Sequence, residues 1–450
     1  MEQQYNFTEE EWRSCIKVLM ALKDNPLDNP DNETFKTLIS KIHKQAKKII
    51  RKESYELKKQ GDMDKLLQSE ISRQAVYNSS LYSEEFYEPK MKYQPLQMPD
   101  NCYVCNESFD KVHFFYSRLC PVCAEFNYSQ RFLKPDLKHR NVILTGGRVK
   151  IGYATALKLL RSGANLILTS RFPALALEAL ASELDYENWK DRLCVYGLDL
   201  RNLQTVEQFI QFVQSRFDYL DILVNNAAQT IRYPDEYYAP LIKKELNCCE
   251  NNRVLFPNQT PVAQDLKMIA WDNMPASFEK NRFGQPIDNR IKNSWNSRLD
   301  EISAIELLEV NLINQISPYL LIKGLKPLFL KSSFNEKFII NVTSSEGQFS
   351  YNNKTIYHPH TNMTKAAFNM LTRTSAAEFA DDGIYMNSVD VGWVSTGANE
   401  ELRKNQFARA YIPPLDPVDG AARIIHPVLE IMNGNIIMGK LLKNYHVVNW

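Results

Sequence analysis

The chain has 450 residues, 44% of them hydrophobic and 24% charged, with a net charge of +1 at neutral pH. That length allows two or three domains, and the composition is ordinary for a globular protein, with no global bias toward nucleic acid or membrane. No run approaches the roughly 18 apolar residues of a membrane span, the start Met1-Glu2-Gln3-Gln4-Tyr5-Asn6 lacks the features of a signal peptide, and the protein reads as cytoplasmic.

Residues 1–100 read as a helical region and linker. Helices are expected over residues 9–22, from 32 to about 60 and from 63 to about 77. In the second, Phe35, Leu38, Ile39, Ile42, Ala46, Ile49 and Ile50 recur at helical spacing. Lys36, Lys41, Lys44, Lys47, Lys48, Arg51, Lys52, Lys58 and Lys59 surround that stripe. They form either a phosphate-binding or nucleic-acid-binding face, hence a macromolecular partner for this region, or simply a solvated one. Pro89, Pro95 and Pro99 mark a linker.

Residues 101–138 carry two C-x-x-C pairs, Cys102/Cys105 and Cys120/Cys123, with fourteen residues between the inner cysteines. Two such knuckles can converge four thiolates on one ion, and that donor set selects Zn2+ in a structural role. Redox-active pairs or buried free thiols are the alternative. Tyr103, Phe109, Phe114, Phe115 and Tyr116 would pack around a core too small to hold itself together without metal. His113 lies between the pairs, but four thiolates already close the shell. Cys15, Cys194, Cys248 and Cys249 are scattered, and Cys194 falls in a strand pattern.

Residues 139–450 form the large domain. Val142-Ile143-Leu144 reads as a strand, Thr145-Gly146-Gly147-Arg148-Val149-Lys150-Ile151-Gly152 as a tight turn, and the residues after it as a helix. Such a turn aims free N–H groups and the helix dipole at one spot, which suits a dinucleotide pyrophosphate; Gly turns also simply join strands to helices. A second strand over residues 165–169 ends in Ser170-Arg171. A cation at that strand end favours a 2′-phosphate, so Arg171, with Arg148 and Lys150, points to NADP(H) over NAD(H), unless Arg171 is only an exposed strand-end residue. A third strand over 193–196 leads into Gly197-Leu198-Asp199-Leu200, and a fourth over 221–225 runs into Asn226-Ala227-Ala228.

This order, T-G-x-x-x-x-x-G, then D-L at the third strand end, then N-N-A-A, resembles the short-chain dehydrogenases/reductases. The resemblance covers essentially all of residues 140–450 apart from one insertion, and implies an α/β fold with a doubly wound parallel sheet. It implies cofactor contacts from Thr145, Gly146, Arg148, Lys150, Gly152, Arg171, Asp199, Asn226, Val394 and Thr396. Asn311 in Val310-Asn311-Leu312, Ser344 at the end of the fifth strand and Lys365 match the family's catalytic positions, with Lys365 also holding the nicotinamide ribose. Proteins of this fold commonly pair through their fourth and fifth helices, which allows a homo-oligomer. With the cysteine module, the assembly looks closer still to a zinc-ribbon-bearing subgroup, marked by T-G-G-R-V-K-I-G, N-N-A-A-Q-T and H-P-H-T-N-M.

The chain departs from the family's pattern in several places. The Tyr expected four residues before the Lys is Thr361, and an aliphatic hydroxyl is too weak an acid to replace a phenol. Tyr357 has the usual separation from Ser344 and is the leading replacement; His358, His360 or water are others, and the Tyr and both His can also be plain loop residues. Lys150 stands where such turns usually carry Gly, so it either crowds the pyrophosphate or attracts a phosphate. Val391 replaces the usual Pro before Gly392. About sixty residues, centred on 232–299 and including Tyr237, Tyr238, Trp271 and Trp295, are inserted, either beside the cleft as a lid or partner surface or away from it. Two functions follow: an NADP(H)-dependent oxidoreductase with a small-molecule substrate, or an NADP(H)-binding pseudoenzyme or scaffold whose helical and zinc regions recognise a macromolecule.

Overall fold

The computed structural model describes residues 6–77, 87, 89–247, 254–255, 279–352 and 354–450. Cys248, Cys249 and Trp271 of the insertion lie outside the described residues. The chain forms two compact units, Met1–Asp64 and Lys65–Trp450.

In the first unit, α1 (Glu9–Leu22) starts at Thr8, whose hydroxyl accepts the Glu11 N–H while the Glu11 side chain returns to the Thr8 N–H. The helix expected from residue 32 to about 60 begins there but continues, as α2 (Asn32–Gln68). Gly61 does not end it, because one interior Gly costs only about 1 kcal/mol against Ala. The last residues of α2 belong to the second unit, as does α3 (Glu70–Val76), which Ser69 precedes.

Pro95 and Pro99 lie in a strand rather than a linker. Strand β1 (Tyr93–Asn101) pairs antiparallel with β2 (Ser108–His113), with a register shift between Pro95 and Asp100. A two-stranded ribbon has free edges and tolerates bulges, which is where Pro can stand in a sheet. The helix α4 (Pro121–Gln130) follows, with Cys120 before it. The aromatic residues of this module do not form a separate core. Phe109, Phe115, Tyr116, Leu119 and Tyr128 pack in one cluster with Val394, Ile412 and Leu415 of the large domain. Arg131 adds buried ion pairs to Asp416 at 2.7 Å and Asp419 at 2.9 Å.

Among the described residues, the large domain is built on a nine-stranded sheet. Its strands are β3 (Asn141–Thr145), β4 (Asn165–Ser170), β5 (Leu193–Gly197), β6 (Ile222–Asn225), β7 (Val254–Leu255), β8 (Lys337–Thr343), β9 (Ile384–Asp390), β10 (Leu441–Lys443) and β11 (His446–Val448). They lie in the order β11-β10-β9-β8-β6-β3-β4-β5-β7, parallel except for β10 against β11. The strands read as continuous apolar runs because both faces are covered. Val142 and Leu144 pack on one face with Leu166, Leu168, Ile222 and Val224; Ile143 packs on the other with Ile167 and Leu223. The described helices of this domain are α5 (Lys150–Arg161), α6 (Pro173–Ala181), α7 (Leu203–Arg216), α8 (Asp235–Asn247), α9 (Ala304–Asn311), α10 (Ser317–Leu330), α11 (Pro359–Ala380), α12 (Glu400–Phe407) and α13 (Pro417–Met432). The order reverses between β3 and β6, and in such sheets ligands bind outside the carboxyl ends of the strands at that point.

Candidate functional site

A cavity of about 1000 Å³ opens at these strand ends. At one end is the turn between β3 and α5. Gly146 has φ +72°, and a Cβ on Gly152 would lie 2.0 Å from the Gly146 carbonyl oxygen, so both positions require Gly. Lys150 takes φ +55°, the left-handed backbone that Gly adopts freely and other residues adopt at a cost of about 1–2 kcal/mol. The turn has thus kept its glycine-like shape with a lysine in it. The Lys150 ammonium lies 5.4 Å from the centre of the Phe283 ring, contributed by the insertion. Burial, with Arg282 and Arg148 nearby, lowers its pKa to about 8.

Thr145 and Asn226 lock this turn. The Thr145 hydroxyl oxygen accepts the N–H groups of Asn226 at 3.0 Å and Ala227 at 3.1 Å. The Asn226 amide donates to the carbonyls of Thr145 and Gly146 at 3.1 and 3.0 Å. Both side chains hold backbone, so any contribution they make to a ligand passes through the shape of the turn.

Two guanidinium groups stand at the end of β4. Arg148 lies 5.3 Å and Arg171 6.0 Å from the Phe172 ring centre, and Arg171 lies 4.9 Å from that of Tyr238. Neither forms an ion pair among the described residues. Burial and then the neighbouring Arg171 lower the Arg148 pKa to about 10. Two close cations without a paired carboxylate make a site for an anion. The start of the insertion borders it: Tyr233, with Tyr237 and Tyr238 of α8, lines the cavity, and the buried Glu245 carboxylate accepts the first N–H groups of α6, from Ala174 at 2.7 Å and Leu175 at 2.9 Å. Asp199 also lines this end and is paired with Arg201 at 2.6 Å, which holds its carboxyl below the usual range against its burial.

At the other end, Ser344, Tyr357, Thr361 and Lys365 all line the cavity. Lys365 is buried and donates to the Val342 carbonyl at 2.9 Å. Burial lowers its pKa to about 8, with Glu346 and then Asp390 opposing. Thr361, one helical turn before it on α11, has a buried hydroxyl with no hydrogen-bond partner among the described residues. Tyr357 stands on the rim, 37% exposed.

The remaining expected residues are placed differently. Asn311 is outside the cavity lining; its amide donates to the Leu307 carbonyl of its own helix at 2.7 Å. The next turn, Leu312–Ile316, is a π-helix, and there the buried Asn314 accepts the Gln229 N–H at 2.8 Å and donates to the Gln229 carbonyl and the Thr364 hydroxyl, both at 3.0 Å. A π-turn widens the helix by one residue and re-aims its side chains, a shift that residue spacing does not reveal. Thr396 lines the cavity, whereas the Val394 side chain is buried in the core beneath the cysteine module. His360 points its Nε2 to the Thr230 carbonyl at 3.1 Å and does not line the cavity; His358 does, and stacks on Trp295 at 4.5 Å.

Sequence reasoning missed Tyr103, Arg118, Ser345, Asp390 and Trp393 as cavity-lining residues, and left open the side of the insertion on which Trp295 lies. The Ser345 hydroxyl donates to Asp390 at 2.9 Å and accepts from Lys443 at 2.7 Å. Asp390 next to Val391, where the family has Pro, was the available signal. The described parts of the insertion, Tyr233, Gln285, Trp295 and Asn296 among them, border the cleft.

The four cysteines of the module come together. Their sulfur atoms all lie within 4.8 Å of one another, and those of Cys105 and Cys120 are 3.7 Å apart. Tetrahedral zinc with bonds of about 2.3 Å requires sulfur separations of about 3.8 Å, so the cluster has a geometry that fits such an ion.

Residues 140–244 match the family model described as short chain dehydrogenase, and residues 291–424 one described as Enoyl-(Acyl carrier protein) reductase. An uncharacterised protein of Acanthamoeba polyphaga mimivirus is 29% identical over 439 residues, 92% of this chain and 86% of that one. The (+)-neomenthol dehydrogenase of Capsicum annuum is 32% identical over 89 residues, 20% of this chain and 28% of that one. Among solved structures, a short-chain dehydrogenase/reductase of unknown function from Caenorhabditis elegans, with cofactor, is 18% identical over 69% of this chain and 96% of that one, with a TM-score of 0.47. The Pseudomonas aeruginosa RhlG/NADP active-site complex is 19% identical over 69% of this chain and 97% of that one, with a TM-score of 0.46.

Proposed function

We propose that this chain, which belongs to the short-chain dehydrogenase/reductase family across residues 140–244 and 291–424, is an NADP(H)-dependent oxidoreductase. The observation that carries the reading is one continuous cavity. It joins the glycine turn and the cations Arg148 and Arg171 at one end to Lys365, Ser344 and Thr361 at the other. When bound, the dinucleotide supplies or accepts the hydride.

The chain's own residues supply the rest. Gly146 and Gly152 let the backbone approach the pyrophosphate, Lys150 faces its charge, and Arg148 with Arg171 holds the 2′-phosphate. Asp199 and Thr396 form walls of the same site. Lys365 holds the nicotinamide ribose and places a positive charge beside the reacting oxygen, which hydrogen-bonds to Ser344. Tyr357 is the leading proton donor. Asn311 matches the family motif, but Asn314 is the buried amide that ties the loop after β6 to α11. The four cysteines hold a structural zinc ion.

A second reading, a cofactor-binding pseudoenzyme, rests on Thr361, which puts an unpaired aliphatic hydroxyl where the family has its phenol. Calorimetric titration with NADPH and NADH, followed by turnover assays on carbonyl, imine and enone substrates, separates the cases. NADPH binding with turnover supports the enzyme; NADPH binding without turnover across the panel supports the pseudoenzyme; no heat with either dinucleotide refutes both and leaves a scaffold whose turn Lys150 blocks.

A further inference from the structure

We propose that α2 is a membrane-surface helix that lays its apolar face into an anionic lipid interface. Successive residues of a helix are rotated by about 100°. On that basis Phe35, Leu38, Ile39, Ile42, Ala46, Ile49 and Ile50 occupy an arc of about 120°. Lys36 and Lys47 border the arc on one side, Lys41 and Lys52 on the other, and Lys44, Lys48, Arg51 and Lys58 fill the far face. Between residues 36 and 59 there are nine cations and two carboxylates, Glu53 and Glu56. None of the nine forms an ion pair among the described residues.

The apolar arc is left in water. Leu38 is 51% exposed, Ile42 62% and Ile50 64%, and Asp62 is the one buried residue of the whole helix. Aliphatic side chains exposed in a continuous stripe mark a surface that awaits a partner. The chemistry of the two faces identifies it. Nucleic acid would neutralise the cations and leave the aliphatic stripe in water. An anionic bilayer takes both: the stripe enters the acyl boundary, the bordering lysines extend their ammonium groups to the headgroups, and the remaining cations sit in the negative surface potential. The helix lies on the surface rather than crossing it, since no described helix is long and apolar enough to span a membrane.

Vesicle flotation of the full chain tests this, with phosphatidylcholine alone and with about 30% phosphatidylserine added. The full chain should float with the anionic vesicles at least about tenfold better than with the neutral ones, and less so as salt rises. The uncharged pair Ile42→Ser and Ile50→Ser should cut that binding about tenfold, as should the triple change Lys44→Gln, Lys48→Gln and Lys52→Gln. The thermal unfolding of the large domain reports that each variant is otherwise intact. No flotation overturns the proposal. So does binding that survives the serine pair but is lost with the glutamine triple; retention of such a protein on an RNA homopolymer would identify a nucleic-acid face instead.

Discussion

The phenol oxygen of Tyr103 accepts the backbone N–H of Trp393 at 2.8 Å. Tyr103 sits inside the first cysteine knuckle, and Trp393 lies in the loop after β9 that lines the cleft, so the cysteine module and the cleft share a hydrogen bond. Tyr103→Phe leaves a partly buried N–H without a partner, which should lower stability by about 1–3 kcal/mol. It should also speed amide exchange across residues 391–396. Denaturant unfolding and hydrogen exchange check both, and unchanged exchange would show that the loop holds itself.

Cys102→Ser should release zinc and lower stability. A four-thiolate site contributes directly to folding, and here the module packs against Val394, Ile412 and Leu415, so the loss should reach the large domain. Metal analysis with thermal unfolding reads the outcome. A folded wild type without metal would contradict the assignment.

Arg171→Glu should weaken NADPH binding by about ten- to a hundredfold, by removing a charge-assisted contact and adding repulsion, while NADH loses little or gains. Equal losses for both dinucleotides would place Arg171 outside the 2′-phosphate site.

Lys150→Gly should raise stability by about 1 kcal/mol or less, since glycine meets φ +55° without strain but gives up more chain entropy. The same change should weaken NADPH binding if the ammonium faces the phosphates. Thermal unfolding and titration separate the two effects.

Lys365 has a pKa of about 8, so its ammonium is present below that pH and lost above it. NADPH affinity and turnover should therefore fall as pH rises through about 8. The sign for stability is opposite: the unfolded chain holds this proton more tightly, so the lysine's burial penalty is full below about pH 8 and fades between there and its ordinary range. Lys365→Ala should reduce turnover at least a hundredfold, and Tyr357→Phe should do the same if the rim tyrosine is the donor. A normal rate for the second variant would remove Tyr357 from the mechanism.

The sequence by itself determined the parts whose physics is local. Apolar runs bounded by turns specified the strands, Gly146 and Gly152 specified the turn, and two C-x-x-C pairs specified a cluster that the structure brings together. These signals need only the residues within one element or one turn. The tertiary structure decided which side chains are free to act. Thr145 and Asn226 bond to backbone across 80 residues of chain or more, Val394 turns into a core shared with the cysteine module, and the π-turn after Asn311 places Asn314 against Gln229 and Thr364. It also carried Tyr103, Arg118 and Trp295 to the cleft from distant segments. Such positions depend on long-range packing and helix register, which no local spacing in the chain encodes.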